Sequence, residues 1–394
     1  MRYRGVGVGL IEARLPRPPT DGNQGISAKM TATTAGDAFA HDYSSARARF
    51  LGQCERLHIP VSSYRHPQPG PGGEAIYSDA ARIGPAGAAR TLLVVSGNHG
   101  VEGYAGSHAQ VALIDELARE GLPADTSAVF IHMLNPWGAA WRRRHTHDNV
   151  DLNRSFVDRT IPLPVNAEHD ALVGTGFLDC LRAPTPGRAL EAMAQFRRAH
   201  GDDAYAQAVF QGQYDSAGGL GYGGSAASWS HGLLRQVAGD MLEPASLVAL
   251  IDLHTGLGPF GIGTLICTET PGSAETAMLR AWYDEPFVAL LEDRKGLPYE
   301  LQGDLAQGVR QVLPAARILP ISLEFGTYEA DRFAELMIKD AWAEAQGNPD
   351  DPEVEAIRCD LMHFFYPQSA LWRDMVAQRT KSVAMMALAG LAGL

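Results

Sequence analysis

Residues Thr91 to Gly106, TLLVVSGNHGVEGYAG, join a short apolar run to a turn in which glycines bracket a histidine and a glutamate. Thr91–Gly97 has strand length and is bounded by turn residues, the pattern of a strand buried on both faces. After the turn, HAQVALIDELAREGL (His108–Leu122) reads as a helix and AVFIHML (Ala128–Leu134) as the next strand. Strand, helix, strand in that order implies a parallel crossover unit. The expected fold class is therefore α/β, with a mixed, mostly parallel sheet between helical layers.

Working outward, further apolar runs recur at SLVALIDLH (Ser246–His254), GIGTLICT (Gly261–Thr268) and RILPISLEFGT (Arg317–Thr327), each expected as a central strand. Apolar spacing suits helices over Phe39–Leu57 and Ala189–His200, and HPQPGPGGEA from His66 breaks regular structure. Gln211–Ser230 is too glycine-rich for either element, so it packs tightly or covers a cleft. Polar, Pro-rich residues follow a short Gly-rich start, and positions 1–30 are expected to be a disordered extension rather than a signal peptide. With no repeat and no interdomain linker, residues 31–394 are expected to form one domain of roughly 350 residues. The apolar end, MMALAGLAGL, is expected to be a packed terminal helix, since ten residues cannot span a bilayer of ~30 Å.

Composition narrows the function. The formal charge of −12 opposes binding to nucleic acid or an anionic membrane surface, and Arg142-Arg143-Arg144 is too short for a polyanion track. Four cysteines, Cys54, Cys180, Cys267 and Cys359, lie far apart without a CxxC pair. That spacing argues against a disulfide framework and a cysteine zinc site, and a reducing cytoplasm is the expected location.

Polar residues at strand ends carry the chemistry. His99 falls just beyond one apolar run, His254 closes another, and Glu324 lies inside the last. Open α/β sheets place ligands at such ends. A lone histidine there is more often structural than a ligand, and Glu102 alone could sit at a helix N-terminus for the dipole. A carboxylate in an apolar strand is harder to dismiss, because burying it unpaired is costly. Together, two histidines and a glutamate suit catalytic zinc, which takes three protein ligands and leaves a fourth position open. Such an ion lowers the pKa of water toward ~7 and polarises a carbonyl oxygen. Glu324 is then the candidate proton carrier. In WRRRHTHDNVDLNRSF (Trp141–Phe156), Asp151, Asn153 and Arg154 could share one face if the backbone is extended. Asp151 could orient a ligand histidine through its other ring nitrogen, and an arginine could hold an oxyanion or a carboxylate.

These residues, His99-Gly-Val-Glu102, Asp151-Leu-Asn153-Arg154, His254 in DLHTG and Glu324 in EFGT, resemble the zinc carboxypeptidase superfamily in order and separation. SGNHGVEGYAGS, RRHTHDNVDLNRSF, DLHTGLGPFG and LEFGT look more closely like a bacterial branch of it, described as a domain of unknown function. The resemblance covers about Phe39 to Tyr366. It implies a three-layer α/β/α exopeptidase-like fold and Zn²⁺ held by His99, Glu102 and His254. Asp151 would stand behind His99, and Glu324 would be the general base and acid. Asn153 and Arg154 match the pair that grips a substrate carboxylate. The oxyanion arginine is expected within Arg142–Arg144, with Arg144 preferred and Arg143 a further candidate. Ser155 stands where the family has asparagine, and Tyr299 lies in the region of its substrate-closing tyrosine.

The implied activity is zinc-dependent hydrolysis of an amide bond next to a free carboxylate, on a small molecule or short peptide. Deacylation of an N-acyl amino acid, as in aspartoacylases, is the alternative. A metal-binding protein without turnover is a third possibility, opposed by the complete ligand set. No GxSxG elbow supports a serine hydrolase.

Overall fold

The computed structural model describes residues 40–283, 288–290 and 301–394. The 1–30 extension and Tyr299 lie outside the described residues. Among the described residues eight strands form one sheet: β1 (Val61–Arg65), β2 (Tyr77–Ile83), β3 (Arg90–Ser96), β4 (Thr126–His132), β5 (Leu247–Gly256), β6 (Gly263–Cys267), β7 (Val288–Leu290) and β8 (Arg317–Gly326), in the order β1-β2-β4-β3-β5-β8-β6-β7. β4, β3, β5 and β8 run parallel, while β2 on β4 and β6 on β8 are antiparallel.

The parallel centre follows from the apolar runs. Every residue of β5 and all but the first of β3 is buried, which requires helices on both faces. On one face helix Gly103–Glu120 lies so close that a Cβ on Gly106 would stand 2.5 Å from the Ser96 side chain. Helices Tyr43–Arg56 and Ala370–Ala392 pack beside it, the latter burying Val383, Ala387 and Leu391 of the apolar C-terminal segment. On the other face Leu93, Val95, Val248 and Leu250 meet Leu234 and Val237 of helix Trp229–Val237 and Val309 of helix Leu305–Val312. A further cluster, built on Phe196, Trp342 and Phe364, joins the helices of 167–210 to those of 330–365. Residues Ala40–Leu394 make one compact unit.

Two expectations need correction. β6 is not central: it lies one strand from the edge and alternates buried with half-buried residues. Asp151–Arg154 is not extended, because Asp151 caps a 3-10 turn over Leu152–Arg154 by accepting from the Asn153 N–H at 3.0 Å. The antiparallel strands β1 and β2 are absent from the sequence reading, since their polar, short segments carry no apolar run. The Gly-rich stretch packs tightly over its first half: Gln213 bonds the backbone of Asp215, Ser216 and Leu220, and the Tyr222 carbonyl accepts from the Asp151 N–H at 2.7 Å. Among the described residues no helix is long and apolar enough to cross a membrane.

Candidate metal centre

The chain leaves β3, crosses by a helix to β4 on one side, and later supplies β5 on the other side of β3. That reversal opens a crevice at the carboxyl ends of β3 and β5, where His99 and His254 emerge. Gly97 makes the turn after β3 at φ +68°, and a Cβ on Gly100 would sit 2.2 Å from the Gly138 carbonyl carbon. The left-handed turn at Gly97 favours glycine, the close approach at Gly100 leaves no room for a Cβ, and the turn aims His99 and Glu102 inward.

One ligand atom from each of His99, Glu102 and His254 lies within 4.8 Å of the others. All three side chains are at least 96% buried. His99 Nε2 lies 2.9 Å from Asp151 Oδ1, and His254 Nε2 lies 2.7 Å from Asp252 Oδ2. A carboxylate only accepts, so each Nε2 carries the proton and each Nδ1 faces Glu102. His99 Nδ1 is 3.0 Å from Glu102 Oε1 yet makes no directed hydrogen bond. An orphaned imidazole nitrogen in a buried two-nitrogen, one-carboxylate set fits a zinc ion.

The electrostatics agree. Burial opposes charge on Glu102, but His99 and Arg144, with a hydrogen bond from His254, hold its carboxyl well below the usual range. Burial likewise opposes charge on Asp151, and His99, Arg144 and Arg154 outweigh it, so it too stays ionised. His254, also penalised by burial, lies between Asp252 and Glu102 and is pushed well above its ordinary pKa. Glu102, the carboxylate of the ligand set, is therefore ionised, the form in which it can bind a cation.

Glu324 stands directly across from His254 in the parallel register of β5 and β8. Its Oε1 accepts from the Leu257 N–H at 2.9 Å. Part of its surface opens to a cavity, but the protein packed around it, with Glu102's charge adding, pushes its pKa up to about 7. The same cavity is lined by Arg144, Asn153, Arg154, Phe210, Leu257 and Phe333.

The three arginines diverge. Arg142, at φ +54°, pairs with Glu355 at 2.6 Å on the exposed side. Arg144 reaches the centre and pairs with Glu102. Its position is set by the backbone, because the Gly100 N–H donates to the Arg144 carbonyl at 3.0 Å and the Val101 N–H to that of Arg143 at 2.9 Å. Arg143, a sequence candidate for the oxyanion, is placed elsewhere: its buried guanidinium bonds Asp340 at 3.0 Å, Asn149 at 3.3 Å, and Glu344. Arg143→Met should lower the unfolding free energy by about 3–5 kcal/mol, because Asp340 would stay buried without its cation. Urea melts test this, and a loss below about 1 kcal/mol, the range of a surface pair, would rule out the strut.

Arg154 lines the cavity with its Nε donating to the Phe210 carbonyl at 2.9 Å and its Nη1 to that of Asn153 at 2.9 Å. Asp252 and Asn98 were not singled out from sequence. The available signal for Asp252 was its place two residues before His254, on the same face of an apolar strand.

The family model described as "Protein of unknown function (DUF2817)" matches residues 39–379. The chain belongs to the DUF2817 family. No curated protein matches this DUF2817 chain. Among solved structures it is similar to carboxypeptidase A from Helicoverpa armigera, at 12% identity and a TM-score of 0.44, covering 83% of this chain and 74% of the other. It is also similar to an aspartoacylase family protein from Mesorhizobium loti, at 15% identity and 0.37, over 73% and 67% of the two chains. A metallo-carboxypeptidase from Burkholderia cenocepacia gives 14% identity and 0.34, over 76% and 67%. Identities this low assign no residue of the DUF2817 chain a role.

Proposed function

We propose that this chain is a zinc-dependent hydrolase that cleaves an amide bond next to a free carboxylate, in a small molecule or short peptide. The observation that carries this is Glu324 in register beside His254, in a cavity also lined by Arg144, Asn153 and Arg154. The motif resemblance to zinc carboxypeptidases supports it, and four cysteines without a disulfide suit a cytoplasmic setting.

His99, Glu102 and His254 would hold the ion. Zinc there supplies Lewis acidity, favouring ionised water and drawing charge from a carbonyl oxygen. Leu257 fixes Glu324 Oε1, which leaves Oε2 to take a proton from the attacking water and pass it to the departing nitrogen. The C–N bond breaks, a C–O bond forms, and an acid and an amine result. Arg144 stands closest to the ligand cluster and serves the oxygen that gains charge. Asn153 and Arg154 receive the substrate carboxylate, while Phe210 and Phe333 exclude water around it.

The test is to assay the zinc-loaded protein on N-acyl amino acids and short peptides, each beside its C-terminally amidated twin. Losing the charged hydrogen bonds to Arg154 should lower kcat/KM for the twin by about 10–100-fold. Equal rates on acid and amide would refute carboxylate recognition. Preference for acyl amino acids over peptides would decide for deacylation.

A further inference from the structure

Asn98 is fully buried between the metal centre and Asn153, and no step above uses it. Its orientation can be deduced from a backbone group. The Leu305 N–H lies 3.2 Å from Asn153 Oδ1, and an N–H requires an acceptor, so that atom is the carboxamide oxygen. Asn98 meets the same oxygen at 3.1 Å and must therefore present its NH2. The same Nδ2 reaches Asp252 Oδ2 at 3.0 Å, the oxygen that also accepts from His254 Nε2. An amide nitrogen has two hydrogens, and these two acceptors use both.

We infer that Asn98 is a positioning residue that ties the orientation of His254, through Asp252, to that of Asn153. Removing it leaves Asp252 Oδ2 to His254 alone and Asn153 Oδ1 to Leu305 alone. Both then gain rotational freedom where the geometry needs none. The substrate side follows from the same chain. Asn153 Oδ1 is fully engaged, so the part of its side chain left to face the cavity is NH2. The ligand group meeting it must be an acceptor such as a carboxylate oxygen, and an ammonium in that place would meet a donor. This half of the inference rests on the carboxylate-binding function proposed above.

Asn98→Ala and Asn98→Ser are compared with wild type in two measurements. Zinc affinity, read by competition with a coloured chelator, should fall about tenfold in Asn98→Ala. It should fall less in Asn98→Ser, whose hydroxyl restores one donor. With N-acetyl-L-methionine and its amide as probes, the preference for the acid should drop about tenfold in Asn98→Ala, through KM more than kcat. The acid-to-amide ratio is independent of the folded fraction, whereas a partly unfolded population would itself weaken zinc binding, so zinc affinities are compared under conditions where melting curves show each zinc-free variant fully folded. Zinc affinity and acid preference both within about twofold of wild type in Asn98→Ala would overturn the inference, being smaller than an orienting partner's usual effect. A wild type that treats acid and amide alike would instead remove the carboxylate function and the Asn153 half. Zinc affinity would then judge the Asp252 half.

Discussion

Glu324→Gln should reduce turnover by about 10²–10⁴-fold and, at about pH 8, raise the melting temperature of the metal-free protein. The first effect follows from removing the carboxylate across from His254 that carries a proton between water and leaving nitrogen; glutamine keeps the shape and the Leu257 contact but not the basicity. The second has the opposite sign for a physical reason. Burial and the charge of Glu102 push the Glu324 pKa from 4.5 up to about 7, so the fold prefers its neutral form. Below the unfolded value both states are protonated and nothing is lost. As pH rises above it the folded carboxyl resists ionisation, and the cost is complete above about 7. Glutamine removes that cost. Zinc binding, by placing a dication nearby, should shrink the stability gain. Activity retained within tenfold would sink the proton-carrier role, and an unchanged melting temperature at alkaline pH would sink the burial account.

The second large effect concerns the ion. Chelation should abolish turnover and zinc should restore it, whereas His254→Ala should neither turn over nor gain stability from zinc. At a free zinc concentration 100-fold above the dissociation constant, wild type should gain about 2.7 kcal/mol. The gain should grow with pH. In the metal-free protein His254 has a pKa raised by Asp252 and Glu102 against the opposing effect of burial. Its proton therefore stabilises the fold fully below about 6.5, and this contribution is lost as pH rises through the higher folded value. Zinc must displace that proton from Nδ1, so affinity climbs as protons become scarce. Melting curves with and without zinc should show a larger shift at about pH 8.5 than at about pH 6. A shift that is flat with pH would mean that His254 is not a ligand, and full activity after demonstrated metal loss would exclude zinc hydrolysis.

Much of this architecture is legible along the chain because it is local. An apolar run buried on both faces reads as a central strand from composition alone, as β3, β4, β5 and β8 do. Edge strand β1 escapes because it buries no residue fully, β2 because its buried residues Ser78, Asp79, Ala80 and Ala81 make no apolar run, and β6 misleads because five apolar or small residues do not reveal their neighbours. The histidine and glutamate of the β3 turn are visible as a pair because glycines frame them, and Glu324 is visible because it interrupts an apolar run.

What sequence could not resolve is direction. Three consecutive arginines look equivalent, yet a left-handed residue at Arg142 and two backbone bonds to the Gly100-Val101 turn send them to Glu355, Asp340 and Glu102 respectively. The pairing of His254 with Glu324 depends on the register of two strands some 70 residues apart, set by cooperative burial of both rather than by either segment. Asn98 acquires two partners from regions remote in sequence only when the sheet closes. Spacing along the chain thus supplied the candidate ligands and the strands that bear them, because periodicity and turn chemistry act over a few residues. The assembled sheet alone decided which atoms meet, because side-chain direction depends on backbone dihedrals and strand register that distant contacts impose.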